Sequence, residues 1–147
     1  MYQVANGRRQ MSGDDHTLEE LESYDCGEPE TAPTAMVVRC MRLQKTPLHS
    51  LSDADVRLLI GQGIGLKYLV PKALGRLVVE PLLQTDYYPG DLLSALLRIR
   101  RDYWLQSPKE LDCLRSIARS VSQHYGKVVG DCEDFLATHE SDGQRWH

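Results

Sequence analysis

Five histidines, His16, His49, His124, His139 and His147, and four cysteines, Cys26, Cys40, Cys113 and Cys132, are the side chains of this 147-residue chain best suited to proton transfer, nucleophilic attack or metal ligation. Their spacing organises none of these chemistries. No histidine stands in an H-E-x-x-H arrangement, the cysteines form no C-x-x-C pair, and neither a G-x-S-x-G elbow nor a calcium loop occurs. Each histidine is read as a surface or partly buried structural residue, and the thiols as reduced and mostly buried. The expectation is a chain that is not an enzyme, with no catalytic residue, no metal and no cofactor.

Two further stretches invite a chemical reading. Glycines at Gly61, Gly63 and Gly65 would let backbone amides approach a phosphate at a helix start, but the run lacks a Gly-Lys-Ser/Thr ending and follows a helical pattern rather than a strand. A helix-to-helix turn with positive φ at glycine accounts for it better. Arg98, Arg100 and Arg101 stand beside Tyr103 and Trp104, a mixture able to stack on nucleotides. The same residues suit a helix C-terminus, where cations complement the helix dipole and the tryptophan packs inward.

Charge argues against nucleic acid as a direct partner. The formal net charge is −4, so no basic field is available to neutralise a phosphate backbone. Eight carboxylates, Asp14, Asp15, Glu19, Glu20, Glu22, Asp25, Glu28 and Glu30, fall between Met11 and Ala35 without one Lys or Arg. The amino terminus has no apolar core like that of a signal peptide, and apolar runs stay far below the roughly 20 residues that span a bilayer. No membrane association is expected, and the cytoplasm is the expected compartment.

The elements that would position these residues read as helices. Thr17 with Glu20 fits a capping box ahead of a short helix, which Gly27, Pro29 and Pro33 then break. Ala35 to Leu43 fits a helix face through Val37, Cys40 and Met41, or a strand face through Met36, Val38 and Cys40; helix is favoured because no clear strand is available as a partner. Ser52 and Asp55 open a helix of about two turns carrying Val56, Leu59 and Ile60. Leu66, Leu69, Val70, Ala73, Leu74, Leu77 and Val78 follow at i, i+3, i+4 spacing, marking the central core helix, with a kink or a short first segment expected at Pro71. Pro89 and Asp91 suit the start of the next helix, and Ser107, Pro108 and Glu110 start another that Gly126 caps. A last short helix spans Asp131 to Thr138. The fold class is all-α, a single compact bundle of about five to seven helices. Its parts are an acidic, partly flexible segment over 1–34, a helical domain over 35–140 and a tail over 141–147.

The segments LIGQGIGLKYLVPKAL and DYYPGDLLSALLRI, with TLEELE upstream, resemble the immunity proteins of bacterial contact-dependent growth inhibition systems. Gly61, Gln62, Gly63, Gly65 and Pro71, then Tyr88, Pro89, Gly90 and Asp91, carry the resemblance, which covers roughly Thr17 to Tyr125. It implies that the chain binds the toxic carboxy-terminal domain, often a nuclease, of a secreted effector protein and neutralises it in the cytosol.

An acidic inhibitor can steer toward a basic nuclease and cover its substrate groove. The stretch Asp14 to Glu30 is therefore one candidate toxin-binding surface, with a solvated leader as the other reading of the same residues. Asp86 and Tyr87, in the linker that also holds Tyr88, form a second candidate through interface anchoring, with one of the two tyrosines expected in the core. A generic helical adaptor or antitoxin acting on another cytosolic protein is the alternative function.

Overall fold

A computed structural model describes residues 13–124 and 130–144. Within these residues every regular element is helical, as the sequence predicts, and no strand occurs. The described residues form eight α-helices, one more than the upper end of the expected range, because a separate five-residue helix forms around Trp104. Contacts group the chain into two units, Met1–Ser52 and Asp53–His147.

The first unit is built around short elements tied by side chains. Helix α1, Leu18–Glu22, begins with the expected capping box: the Glu20 amide donates to Thr17 Oγ1 at 3.1 Å and the Thr17 amide donates to Glu20 Oε1 at 3.0 Å. Leu18 is fully buried. Helix α2, Ala35–Gln44, settles the helix-or-strand question in favour of helix, capped by Thr34, whose hydroxyl accepts from the Val37 amide. It buries Cys40 and Met41, but Val37 is exposed, so the inward face is narrower than the sequence pattern implies. An isolated bridge pairs Thr17 with Pro47, and the Leu48 amide donates to the His16 carbonyl at 3.0 Å.

In the second unit α3, Asp53–Gly61, buries Val56, Leu58, Leu59 and Ile60. Its exit is fixed by glycine. Gly63 has φ +71°, its amide donates to the Ile60 carbonyl, and the Ile64 amide reaches back to Leu59, the paired bonds of a Schellman ending. Gly65, at φ +66°, then opens α4, Leu66–Val79. The glycine run is thus a helix-to-helix turn.

Helix α4 continues through Pro71 rather than starting after it; the proline lies in the second turn and is exposed, so its cost is one missing amide bond. Leu69, Val70, Ala73, Leu74 and Leu77 are buried as expected. Val78 is not: it is exposed, because Leu77 is the last position of the helix covered by neighbours.

Helix α5, Asp91–Leu97, buries Leu92, Leu93 and Leu96; α6, Arg101–Leu105, buries Trp104; α7 spans Pro108–His124 and α8 Gly130–Gln144. The α7 start at Pro108 agrees with the sequence signal, whereas α8 is longer than predicted at both ends because Cys132, Phe135 and His139 continue one buried stripe. Trp104 sits edge-on to Tyr103 and Phe135, with ring centroids 5.1 and 6.0 Å away, so the tryptophan beside the arginine cluster packs inward. Helices α7 and α8 pack together, α3 packs on α4 and α5, and α4 packs on α7. Tyr125, the expected cap Gly126 and residues 145–147 of the expected tail lie outside the described residues, as does the amino-terminal segment 1–12.

Leu96 has no solvent exposure. Leu96→Ala should lower unfolding free energy by about 3 kcal/mol, the usual cost of a buried leucine truncation with its residual cavity. A urea midpoint shift equivalent to under about 1 kcal/mol would show that this position is not packed as described.

Candidate functional site

The residues with chemical potential are dispersed. His16 approaches Glu20 at 3.4 Å and His49 approaches Asp15 at 3.8 Å, both near the surface. His139 is buried and stacked on Phe135 at 4.3 Å. No disulfide joins the four cysteines; Cys40 and Cys132 are buried while Cys26 and Cys113 are half-buried. Burial pushes the Cys26, Cys40 and Cys113 thiols above their ordinary range, the opposite of what activates a nucleophile. Among the described residues no group of His, Cys, Asp and Glu is placed to hold a metal ion. Among the described residues no helix is long and apolar enough to cross a membrane.

The acidic stretch divides by what each carboxylate touches. Glu19 accepts from Lys45 Nζ at 2.9 Å and from the Cys26 amide at 2.9 Å. These donors, the Lys45 hydrogen bond foremost, hold its carboxyl down at about 2. Glu20 is held down chiefly by the Thr17 amide in the capping box. Asp25 closes a turn by accepting from the Gly27 amide at 2.9 Å and stands 3.6 Å from Lys45. Asp14 is exposed and Asp15 is half-buried in the turn Gly13–Asp15. Glu22, Glu28 and Glu30 are exposed. Glu19 and Glu20 therefore build the first unit, and the carboxylates turned to solvent are mainly Asp14, Glu22, Asp25, Glu28 and Glu30.

In the second unit the linker between α4 and α5 is organised by a residue that the sequence marks only as a helix start. Asp91 is 3% exposed. Its Oδ1 accepts from the Thr85 amide at 2.8 Å; its Oδ2 accepts from the Thr85 hydroxyl at 2.6 Å, the Asp86 amide at 3.1 Å and the Tyr87 amide at 3.0 Å. Burial pushes the Asp91 carboxyl up, but the Thr85 hydroxyl and the three amides outweigh it and leave the group below its ordinary value.

Gly90 supplies the reversal with φ +87°. Its amide donates to the Leu82 carbonyl at 3.0 Å, closing the loop at its base. Asp86 and Tyr87 are consequently held with their backbones inward and their side chains out. The expectation that one tyrosine lies in the core fails: Tyr87 is 68% and Tyr88 46% exposed, because the Asp91 bonds consume the inward side of the turn. The Arg57 guanidinium lies 4.6 Å from the centre of the Tyr87 ring, a cation–π contact that restrains an otherwise free ring.

Sequence reasoning identified Asp86 and Tyr87 but not Arg57, Asp91 or Arg98 as parts of one surface. A polar turn ending in Pro-Gly-Asp is the one local hint, since an aspartate after such a turn can collect its amides.

Replacing Asp91 by Asn should destabilise the chain by about 2–3 kcal/mol, since an amide offers one acceptor oxygen where two are used and turns a donor toward donors. Hydrogen exchange at Thr85, Asp86 and Tyr87 should accelerate together. Because the folded carboxyl is depressed, its contribution is present above the ordinary carboxylate range and lost as pH falls below it. Unchanged exchange at those amides would refute the assignment.

Comparison with known proteins connects this architecture to a family. Residues 20–114 match the family described as CDI immunity proteins, from within α1 into α7, including the glycine turn and the whole Asp91 loop. No curated protein and no solved structure matches the chain. With more than half of its length matched, the chain belongs to the CDI immunity protein family, CDI denoting contact-dependent growth inhibition.

Proposed function

We propose that the chain is a stoichiometric inhibitor that binds the carboxy-terminal toxin domain of its cognate growth-inhibition effector in the cytosol and neutralises it without chemistry of its own. Family membership carries this reading. The exposed tyrosines Tyr87 and Tyr88, on a turn fixed before any partner arrives, support it: aromatic side chains held rigid lose little entropy on binding and are frequent interface anchors.

The toxin is proposed to be a nuclease. Nucleases hold a polyanion with basic side chains, and the net charge of −4 and the exposed Glu22, Glu28 and Glu30 give this chain the complementary sign. Asp14, Asp15 and Asp25 extend the same acidic surface. Glu19 and Glu20 contribute to its field, although their carboxylates also hold the first unit together.

Co-expression of the chain with the toxin domain encoded beside it should yield a one-to-one complex and restore growth; soluble chain with neither would reject the proposal. Neutralising Glu22, Glu28 and Glu30 together to Gln should slow association several-fold at low salt and much less at about 0.15 M, where screening shortens the reach of the field. Association rates equal to wild type at low salt would remove the acidic surface from the account.

A further inference from the structure

Beside the Asp91 loop, α3 and α5 enclose a cavity of about 310 Å³. Arg57, Ser94, Arg98 and both exposed tyrosines line it. Ser94 is 6% exposed and its Oγ has no hydrogen-bond partner. The Arg57 Nε is likewise enclosed without an acceptor. Buried polar atoms left unsatisfied cost stability, and of the four such side-chain atoms among the described residues, Arg57 Nε, Ser94 Oγ, Trp104 Nε1 and Arg115 Nε, the first two share this wall, where an incoming acceptor is the group they lack.

Asp91 also borders the cavity, but its oxygens already accept four bonds from Thr85, Asp86 and Tyr87 and pair with neither arginine. Among the described residues the guanidinium groups of Arg57 and Arg98 have no carboxylate partner.

We infer that this cavity is a receptor for a carboxylate side chain, an Asp or Glu of the toxin domain, received between Arg57 and Arg98 with Ser94 Oγ donating to it. The inference rests on the immunity reading for the identity of the partner. Formal charge selects the occupant: two guanidinium groups less the Asp91 carboxylate leave one positive charge, which a single carboxylate neutralises and a phosphate dianion would overshoot. Tyr87 and Tyr88 at the rim are exposed in the free chain, and a partner that covers them would exclude water around the pair, the setting in which a charge pair slows dissociation most. The acidic surface of the first unit would then govern how fast the partner arrives, and this cavity how long it stays.

The test measures dissociation of the toxin domain from the full chain carrying Arg57→Gln, Arg98→Gln or Ser94→Ala. Each arginine variant should dissociate at least about tenfold faster than wild type. Arg98 is exposed, so its variant keeps the test valid if Arg57→Gln fails to fold. Ser94→Ala should weaken the complex while leaving the thermal stability of the free chain equal or higher, a combination that a merely structural hydroxyl would not give. Replacing each Asp and Glu of the toxin domain by its amide should reveal one whose loss is not additive with Arg98→Gln. If wild type binds but both arginine variants dissociate within about twofold of it, or if every toxin carboxylate is additive with Arg98, the cavity assignment is overturned alone. If wild type fails to bind the toxin domain, the functional reading falls and this inference with it.

Discussion

A single carboxylate, that of Asp91, fixes the turn that carries the exposed Asp86, Tyr87 and Tyr88. Taken out of water, it would be costly to keep charged; four donors from three consecutive residues compensate, and one of them is a hydroxyl at 2.6 Å. The consequence is geometric. The Thr85, Asp86 and Tyr87 amides and the Thr85 hydroxyl converge on Asp91, and the side chains of Asp86, Tyr87 and Tyr88 are left exposed. The same residue begins α5, whose leucines Leu92, Leu93 and Leu96 anchor the helix in the core, so the loop geometry is tied to the packing of the second unit.

Carboxylates in the first unit perform a different division of labour. Glu19 and Glu20 stabilise turns and helix starts through amides and Lys45 in a segment that has few large apolar side chains to bury. Their neighbours Glu22, Glu28 and Glu30 keep their charge in solvent. A run of acidic residues can thus serve structure and long-range attraction at once, because the first needs short hydrogen bonds and the second needs only the field of a net charge.

What could be read from the sequence follows from how local each cause is. The Thr17 and Glu20 capping box, the Ser107–Pro108 start of α7 and the glycine turn between α3 and α4 are decided within a few residues, and each appears where its signal stands. The helical state of Ala35–Gln44 needed a global argument, the absence of any other strand. The exposure of Val78, the outward turn of both tyrosines and the clustering of Arg57, Ser94 and Arg98 depend on which helices meet, and hydrophobic periodicity carries no such information. Asp91 is intermediate: its place at a helix start was legible, while its role as acceptor for the preceding turn required the loop to close.

The central claim, that the Asp91 loop presents the partner-binding surface, is tested most directly at Tyr87. Its ring is exposed and contributes little to the core, so Tyr87→Ala should leave thermal unfolding nearly unchanged. Equilibrium affinity of that variant for the toxin domain, measured by calorimetry, should fall at least about tenfold, as loss of a buried aromatic anchor would produce. Wild-type affinity in the folded variant would contradict the account and place the interface elsewhere on the chain.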